Sequence, residues 1–188
     1  MEQYIEYLAV ALGVVYVVLA TRSISWCWPA GILSSALYIY INITHQLFQD
    51  AILQTYYVVA GFYGWWLWRK AGKTSEEGTT EITTYSLMQN LKLIAGGAVL
   101  IPVLGFAFSK LGNSLSYFDS AVTIFSFIAT WMTAKKIIEN WLFWIVIDLV
   151  AATMYYIKHL ELTAGLYLFF AAIAIYGYLQ WRKQLVST

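Results

Sequence analysis

Long apolar segments separated by shorter polar ones are the main pattern along this chain. Seven such segments can be drawn, at residues 4–20, 27–44, 49–68, 91–109, 118–134, 140–157 and 162–181. Each is close to the roughly 20 apolar residues that an α-helix needs to cross a ~30 Å hydrocarbon core. The pattern therefore predicts an all-α membrane protein with seven transmembrane helices.

Composition supports a membrane location. Hydrophobic residues make up 61% of the 188 residues and charged residues only 11%, against roughly 25% charged residues in a soluble domain. The net charge of +1 gives no basis for nucleic-acid binding. A single cysteine, Cys27, excludes an internal disulfide. We therefore expect the lipid bilayer, and no nucleic acid, as the surroundings of this chain.

Lysine and arginine are unevenly divided between the two sets of loops. If the N-terminus lies outside, only Lys110 and Lys158 fall on the outer side. Nine residues fall on the opposite side: Arg22, Arg69, Lys70, Lys73, Lys92, Lys135, Lys136, Arg182 and Lys183. Because cytoplasmic loops are enriched in lysine and arginine, this division predicts an outer N-terminus and a cytoplasmic C-terminus.

An internal repeat emerges when the chain is shifted against itself by 113 residues. The shift places Tyr-Gly at 63–64 on Tyr-Gly at 176–177, and Trp-Arg-Lys at 68–70 on Trp-Arg-Lys at 181–183. Further matches at the same offset, without a gap, are Trp28 with Trp141, Ile32 with Ile145 and Arg22 with Lys135. Shared membrane composition is the simpler explanation, but the ungapped matches favour a repeat.

The repeat predicts two three-helix units, at residues 1–75 and 114–188. Between them, residues 76–113 would supply a loop and a connector helix, and residues 70–90 read as a polar linker. One connector helix leaves the second unit in the same orientation as the first, which gives a parallel 3+1+3 repeat. Small transporters with this arrangement hold their substrate near the midplane, between the repeats.

One carboxylate lies near the middle of the sixth segment. Asp148 shares a helical face with Asn140, Trp144, Ala151 and Tyr155. An aspartate at the centre of a membrane helix costs roughly 2.5 to 3.5 kcal/mol, so it is by default a functional-site hypothesis. Trp141 and Trp144 could stack on a cationic ring held by this acid. The alternative is a structural hydrogen bond from Asp148, or a protonated acid without a ligand.

Polar side chains in other segments also fall on single helical faces. The fifth segment carries a stripe of five: Asp119, Thr123, Ser126, Thr130 and Thr133. The second carries Ser35, Tyr38 and Asn42, and the third carries Gln54 and Tyr57. Such faces point away from lipid, although serine and threonine hydroxyls also bond back to their own helix. Asn140, at a helix start, could cap that helix rather than contact a ligand.

No enzyme site is visible in the sequence. His45 and His159 are too few and too peripheral for a metal centre or for a base beside a nucleophile. A Walker motif is also missing, which argues against ATP-driven transport by this chain alone. We expect neither a metal nor a cofactor.

Two motifs resemble a known family. Glu-Asn-Trp-x-x-Trp at 139–144 and Tyr-Gly-Trp-x-x-Trp at 63–68, behind Gln54, are similar to those of the Pnu family of bacterial B-vitamin transporters, and the likeness covers nearly the whole chain. The resemblance implies a SWEET-like architecture, a place in the bacterial inner membrane and a homotrimer. It also implies facilitated diffusion, drawn forward by a cytoplasmic kinase that phosphorylates the vitamin.

Within this family, the resemblance implies an amide in nicotinamide riboside carriers where this chain has Asp148. A carboxylate suits the charged thiazolium or the aminopyrimidine of thiamine, so the expected substrate is thiamine. The expected contacts are Asp148, Trp144, Trp141, Asn140, Gln54, Tyr57, Asn42, Tyr38 and Thr123. The first alternative is nicotinamide riboside transport, and the second is a heptahelical sensor without transport activity.

Overall fold

The structure is a computed structural model that describes residues 2–45, 47–74, 81–110, 116–157 and 159–186. These residues form seven helices: α1 (Glu2–Thr21), α2 (Cys27–Thr44), α3 (Phe48–Thr74), α4 (Leu87–Lys110), α5 (Ser116–Ala134), α6 (Asn140–Ile157) and α7 (Glu161–Val186). Each predicted apolar segment coincides with one helix. The helices α3 and α7 continue past the predicted ends at 68 and 181, because backbone hydrogen bonds persist where the side chains become polar.

The predicted linker at 70–90 needs a correction at both ends. The helix α3 occupies its first residues and α4 its last four. Residues 75–80, and the predicted unit boundaries at 75–76 and 113–114, lie outside the described residues or at their edge. The prediction of a loop was wrong at both ends because polar residues, although unsuited to lipid, still form helical hydrogen bonds.

Within the described residues, four helices are long and apolar enough to cross a membrane: α1, α4, α6 and α7. Large apolar side chains cover the outer surface; Val99 is 70% exposed and Leu162 is 94% exposed. A surface of this kind is stable against lipid and not against water. The remaining helices, α2, α3 and α5, carry polar residues that face the inside of the bundle, and this lowers their hydropathy.

Six of the helices form a closed ring. Going round it, α1 packs on α2, α2 on α3, α3 on α5, α5 on α6, α6 on α7, and α7 returns to α1. In the described part of the chain, α4 packs on α5 alone and lies outside the ring. The ring therefore consists of three consecutive helices from the first half of the sequence followed by three from the second, and it encloses a central space.

Two turns of the ring have the same backbone geometry at a separation of 113 residues. Ser23 follows α1 with φ 57°, and Lys136 follows α5 with φ 52°. The amide after each of them bonds five residues back, Ile24 to Leu19 and Ile137 to Met132. A left-handed residue just beyond a helix allows this bond and ends the helix.

Close helix packing also recurs at this spacing. A Cβ atom on Gly64 would lie 2.4 Å from the Trp28 ring, and one on Gly177 would lie 2.8 Å from the Trp141 ring. Only glycine leaves room for these indoles between α2 and α3 and between α6 and α7. The Tyr-Gly and Trp matches found in the sequence therefore meet as two glycine–tryptophan contacts.

A short strap joins the segment before α4 to the α5–α6 turn. Thr83 forms an isolated parallel bridge with Ile137, donating to the Lys136 carbonyl and accepting from the Ile138 amide, both at 2.9 Å. The Tyr85 amide donates to the Glu139 carboxylate at 3.0 Å. These bonds fix the turn at the arginine- and lysine-rich end of the bundle, where α1, α3, α5 and α7 end.

Candidate functional site

A cavity of about 600 Å³ occupies the centre of the helix ring. All six ring helices contribute to its wall, and no described residue of α4 does. Its length follows from α1, where Glu6 and Ala20 both line it and are separated by fourteen residues, or about 21 Å of helix. The cavity volume falls in the range of roughly 300 to 1,000 Å³ that is typical of small-molecule sites.

Seven of the nine predicted contact residues line this cavity: Asp148, Trp144, Trp141, Gln54, Tyr57, Asn42 and Tyr38. They come from α2, α3 and α6, so residues distant in sequence are brought together. Thr123 and Asn140 are not part of the wall. In the predicted α5 stripe, Ser126, Thr130 and Thr133 line the cavity, whereas Thr123 does not.

The Asp148 carboxylate is buried in the cavity wall, with 6% of the residue exposed. No other described residue is found to give it a hydrogen bond or an ion pair. The alternative of a structural hydrogen bond therefore has no partner in the described part of the chain. A buried carboxyl group that accepts no hydrogen bond is favoured when it is protonated or paired with a cation, and this one faces a cavity large enough for a ligand.

Trp144 is held in the wall by a chain of polar side chains. Its indole N–H points at the Thr133 hydroxyl at 3.4 Å, and that hydroxyl lies 3.0 Å from the Asn140 amide oxygen. The Asn140 amide nitrogen donates to the Ile137 carbonyl at 2.6 Å. Asn140 is fully buried and bridges α5 to α6. Its amide is satisfied inside the protein, and the residue does not line the cavity, so its expected contact with a ligand stays a prediction.

The C-terminal part of the α5 stripe shows both features expected from the sequence, a face turned towards the inside of the bundle and hydroxyls bonded back to their own helix. Ser126, Thr130 and Thr133 line the cavity. The Thr130 hydroxyl donates to the Ser126 carbonyl at 2.8 Å, and the Thr133 hydroxyl lies 2.9 Å from the Ala129 carbonyl. Thr130 and Thr133 therefore bond to their own helix and also line the cavity.

An aromatic wall on α6 and α7 was predicted only in part: Tyr155 was placed on the Asp148 face, whereas Tyr167 and Phe170 were missed. Tyr155 and Tyr167 stack with ring centroids 5.2 Å apart and an angle of 12°, and Phe170 packs edge-on against Tyr167 at 6.2 Å. All three line the cavity. The helix α7 reads as uniformly apolar, which hid its inner face. The spacing of Thr163, Tyr167, Phe170 and Ala174 by three and four residues was the available signal.

The two ends of the cavity differ in character. Glu6 and Asp50, both exposed, line one end. At the other end lie Trp28 and Trp141, which belong to a buried apolar core. Beneath that core, burial lowers the pKa of Lys136 to about 8 because it removes water from the ammonium group. The cavity therefore has an acidic, exposed end and an aromatic, closed one.

The carboxylate breaks the equivalence of the two halves. Ser35 stands 113 residues before Asp148, and both are buried residues of the cavity wall. The 113-residue spacing thus relates a hydroxyl on α2 to an acid on α6. Charge is confined to the α6 side of this cross-section, which suits a ligand with one charged end.

Residues 3–183 match the family model described as nicotinamide mononucleotide transporter. The chain belongs to this family. It is 24% identical over 192 residues to the nicotinamide riboside transporter PnuC of Neisseria mucosa, with 97% of this chain and 73% of the relative covered. It is 23% identical over 173 residues to the riboflavin/roseoflavin transporter RibM of Streptomyces davaonensis, with 90% and 80% covered.

A solved structure also resembles this chain in fold. The crystal structure of the vitamin B3 transporter PnuC matches with a TM-score of 0.79 at 24% identity, covering 98% of this chain and 83% of the other. The expected resemblance to the Pnu family is confirmed. The chain is thus an all-helical, multi-pass membrane protein of a transporter family and not an enzyme.

Proposed function

We propose that this protein carries thiamine across the membrane by facilitated diffusion. The observation that carries the proposal is the buried Asp148 carboxylate, which faces a cavity walled by aromatic rings and has no partner among the described residues. A permanently charged aromatic heterocycle supplies the missing cation and fits between the rings, where cation–π attraction adds to charge pairing. Neutral ligands leave the cost of the buried charge uncompensated.

The proposed contacts divide by chemistry. Asp148 pairs with the charged ring or accepts from the aminopyrimidine, while Trp144 and Trp141 give stacking surfaces. The amides of Gln54 and Asn42 and the hydroxyls of Tyr57 and Tyr38 supply hydrogen bonds; all four line the cavity. Asn140 acts through the chain that orients Trp144. Thr123 adds a polar position on α5 beside the wall.

Nicotinamide riboside is the second candidate. Its pyridinium ring is also a cationic aromatic group, and PnuC of Neisseria mucosa carries the name of a nicotinamide riboside transporter. The sequences of this chain and that relative are only 24% identical, which leaves room for a different substrate. Riboflavin, named for RibM, lacks the positive charge that the carboxylate favours.

The proposed mechanism is rocking of one three-helix unit against the other. The units are residues 1–75 and 114–188, joined by the loop and connector helix at 76–113. The equivalent turns and the two glycine–tryptophan contacts at 113-residue spacing support this division. Transport would then expose the cavity to each side in turn, without coupling to an ion, and phosphorylation by a cytoplasmic kinase would trap the vitamin.

The proposed setting is the bacterial inner membrane, with the N-terminus outside and the C-terminus in the cytoplasm. The excess of lysine and arginine at one end of the bundle supports this orientation. A homotrimer is proposed from the family resemblance, and its mass in detergent, measured by light scattering, tests it.

Titration of thiamine and nicotinamide riboside into purified protein tests the function. We expect thiamine to bind more tightly than nicotinamide riboside and to enter liposomes containing the protein, without an imposed ion gradient. Tighter binding of nicotinamide riboside would reassign the substrate to the second candidate. If neither vitamin bound and no flux appeared, a heptahelical sensor without transport activity would become the better reading.

A further inference from the structure

Four tryptophans close the aromatic end of the cavity. We call Trp28, Trp68, Trp141 and Trp181 the tryptophan cluster. Their rings form a continuous series, with Trp28 to Trp68 at 5.4 Å, Trp68 to Trp181 at 6.2 Å and Trp181 to Trp141 at 5.4 Å. Each residue is at most 4% exposed. The cluster fills the bundle between the cavity and its arginine- and lysine-rich end.

Two of the four indoles tie the halves of the chain together. The Trp68 N–H, on α3, donates to the carbonyl of Ala134 at the end of α5, at 3.0 Å. The Trp181 N–H, on α7, donates to the carbonyl of Ala20 near the end of α1, at 3.0 Å. Both bonds are buried, and each crosses from one half of the sequence to the other. Moving the halves apart at this end must break both.

The other two indoles lack an acceptor. The N–H groups of Trp28 and Trp141 are buried and have no hydrogen-bond partner in the described structure. A buried donor without an acceptor costs free energy, because its bond to water has been lost and not replaced. That cost disappears when the end of the cavity opens and water or a ligand oxygen reaches the N–H. The same cluster is thus held closed by two indoles and destabilised by two.

We propose that the tryptophan cluster is the gate at the arginine- and lysine-rich end of the transport path. In its opening, Trp68 separates from Ala134 and Trp181 from Ala20, while the donors of Trp28 and Trp141 become hydrated. The opposing contributions keep the closed and open states close in free energy, which a carrier needs in order to cycle. The role as a gate rests on the proposed transport function, but the opening itself can be measured without a substrate.

The only cysteine of the chain is a built-in reporter of this opening. Cys27 is fully buried and packs in the same core as the tryptophan cluster. A small methanethiosulfonate reagent reaches its sulfur only when the cluster opens, so the labelling rate follows the open population. The experiment uses the full-length protein in lipid nanodiscs, with Cys27→Ala as the blank.

Removing one of the two hydrogen bonds between the halves is expected to speed up labelling of Cys27. Trp181→Phe and Trp68→Phe keep an aromatic ring but lose the N–H donor, and each should raise the Cys27 labelling rate about fivefold, since one net hydrogen bond is lost from the closed state only. Trp66→Phe is the matched control, because Trp66 is 56% exposed and outside the cluster. Unchanged labelling rates in both Trp181→Phe and Trp68→Phe would refute the proposed gate.

Removing an unpaired donor is expected to have the opposite effect. Benzothienylalanine at position 28 keeps the indole shape and replaces the N–H by sulfur, so only the open state loses a hydrogen bond. Labelling of Cys27 should then slow about fivefold. Unfolding cannot produce slower labelling, so this sign separates gating from damage. Equal or faster labelling in the substituted protein would refute the role of the Trp28 donor.

Added vitamin separates the gate from the proposed function. Thiamine should change the Cys27 labelling rate of the unsubstituted protein, since the cavity adjoins the cluster. A rate that responds to the substitutions but to neither thiamine nor nicotinamide riboside would support the gate and count against the proposed substrates. A labelling rate that responds to a vitamin but to none of the substitutions would support that vitamin as a substrate and count against the gate.

Discussion

Replacement of Asp148 by asparagine is expected to weaken thiamine binding and to stabilise the empty protein. Asparagine keeps the shape of the side chain and removes its charge. Two unit charges 4 Å apart attract by about 4 kcal/mol at an effective dielectric constant of 20. Desolvation of the ligand reduces this gain, so the expected loss is about 1.4 to 4 kcal/mol, a factor of roughly ten to one thousand in Kd.

The effect on stability has the opposite sign because of the site geometry. Asp148 is 6% exposed and without a described partner, so the empty protein bears the cost of burying a carboxyl group. The asparagine variant should therefore melt at a higher temperature than the parent protein when no vitamin is present. A carboxylate with a structural hydrogen bond would show the reverse, because its removal would leave a buried donor unsatisfied.

Calorimetric titration and thermal unfolding of purified protein measure the two quantities. Glu161→Gln is the matched control, since Glu161 is an exposed acid outside the cavity wall. A thiamine analogue with an uncharged thiophene in place of the thiazolium should bind the parent and the Asp148→Asn variant with similar affinity. Unchanged thiamine affinity in the variant, or an equal loss for the uncharged analogue, would refute charge pairing at this residue.

Three further substitutions test a helix contact, the hydrogen bonds that hold Trp144 and the strap at the α5–α6 turn. Gly177→Ala should destabilise by about 1 to 3 kcal/mol, since its Cβ would lie 2.8 Å from an indole ring, whereas Gly165→Ala, with open space, should be neutral or stabilising in thermal unfolding. Thr133→Val should weaken vitamin binding, because it removes the hydroxyl that holds the Trp144 indole and leaves the buried Asn140 amide oxygen unpaired. Thr153→Val is the control and should leave binding unchanged, because Thr153 is exposed and bonds only to its own helix. Glu139→Ala should speed hydrogen exchange at the Tyr85 backbone amide, because that amide donates to the Glu139 carboxylate. Unchanged exchange would contradict the strap between this segment and the α5–α6 turn.

The helices were predictable because their main determinant is local. A run of about 20 apolar residues leaves the backbone no partner in lipid except itself, so each run becomes a helix whatever its neighbours are. The ends of α3 and α7 were less predictable, since their last turns are polar and resemble a loop in composition. Helical hydrogen bonding continued there regardless of the side chains.

The site was predictable where the residue type was unusual for its surroundings. An acid in the sixth apolar segment, or an amide such as Gln54 in the third, is costly in lipid and so indicates an inner face. Tyr167 gave no such signal, because tyrosine is common at membrane interfaces; Tyr155 was found only through its place on the Asp148 face. Asn140 gave the same signal, but a hydroxyl and a carbonyl of the protein satisfy its amide and it does not line the cavity.

The sequence by itself determined the helix count and the membrane setting, and it located an acid, Asp148, within an apolar segment, since each follows from the polarity of residues along one segment. Comparison of its two halves gave the 113-residue spacing. Only the tertiary structure decided which side chains meet. It joined the helices in a ring with α4 outside and kept Asn140 out of the cavity wall. Within the tryptophan cluster it paired two N–H groups and left two without an acceptor among the described residues. Those outcomes depend on the distances between helices, which no single segment encodes.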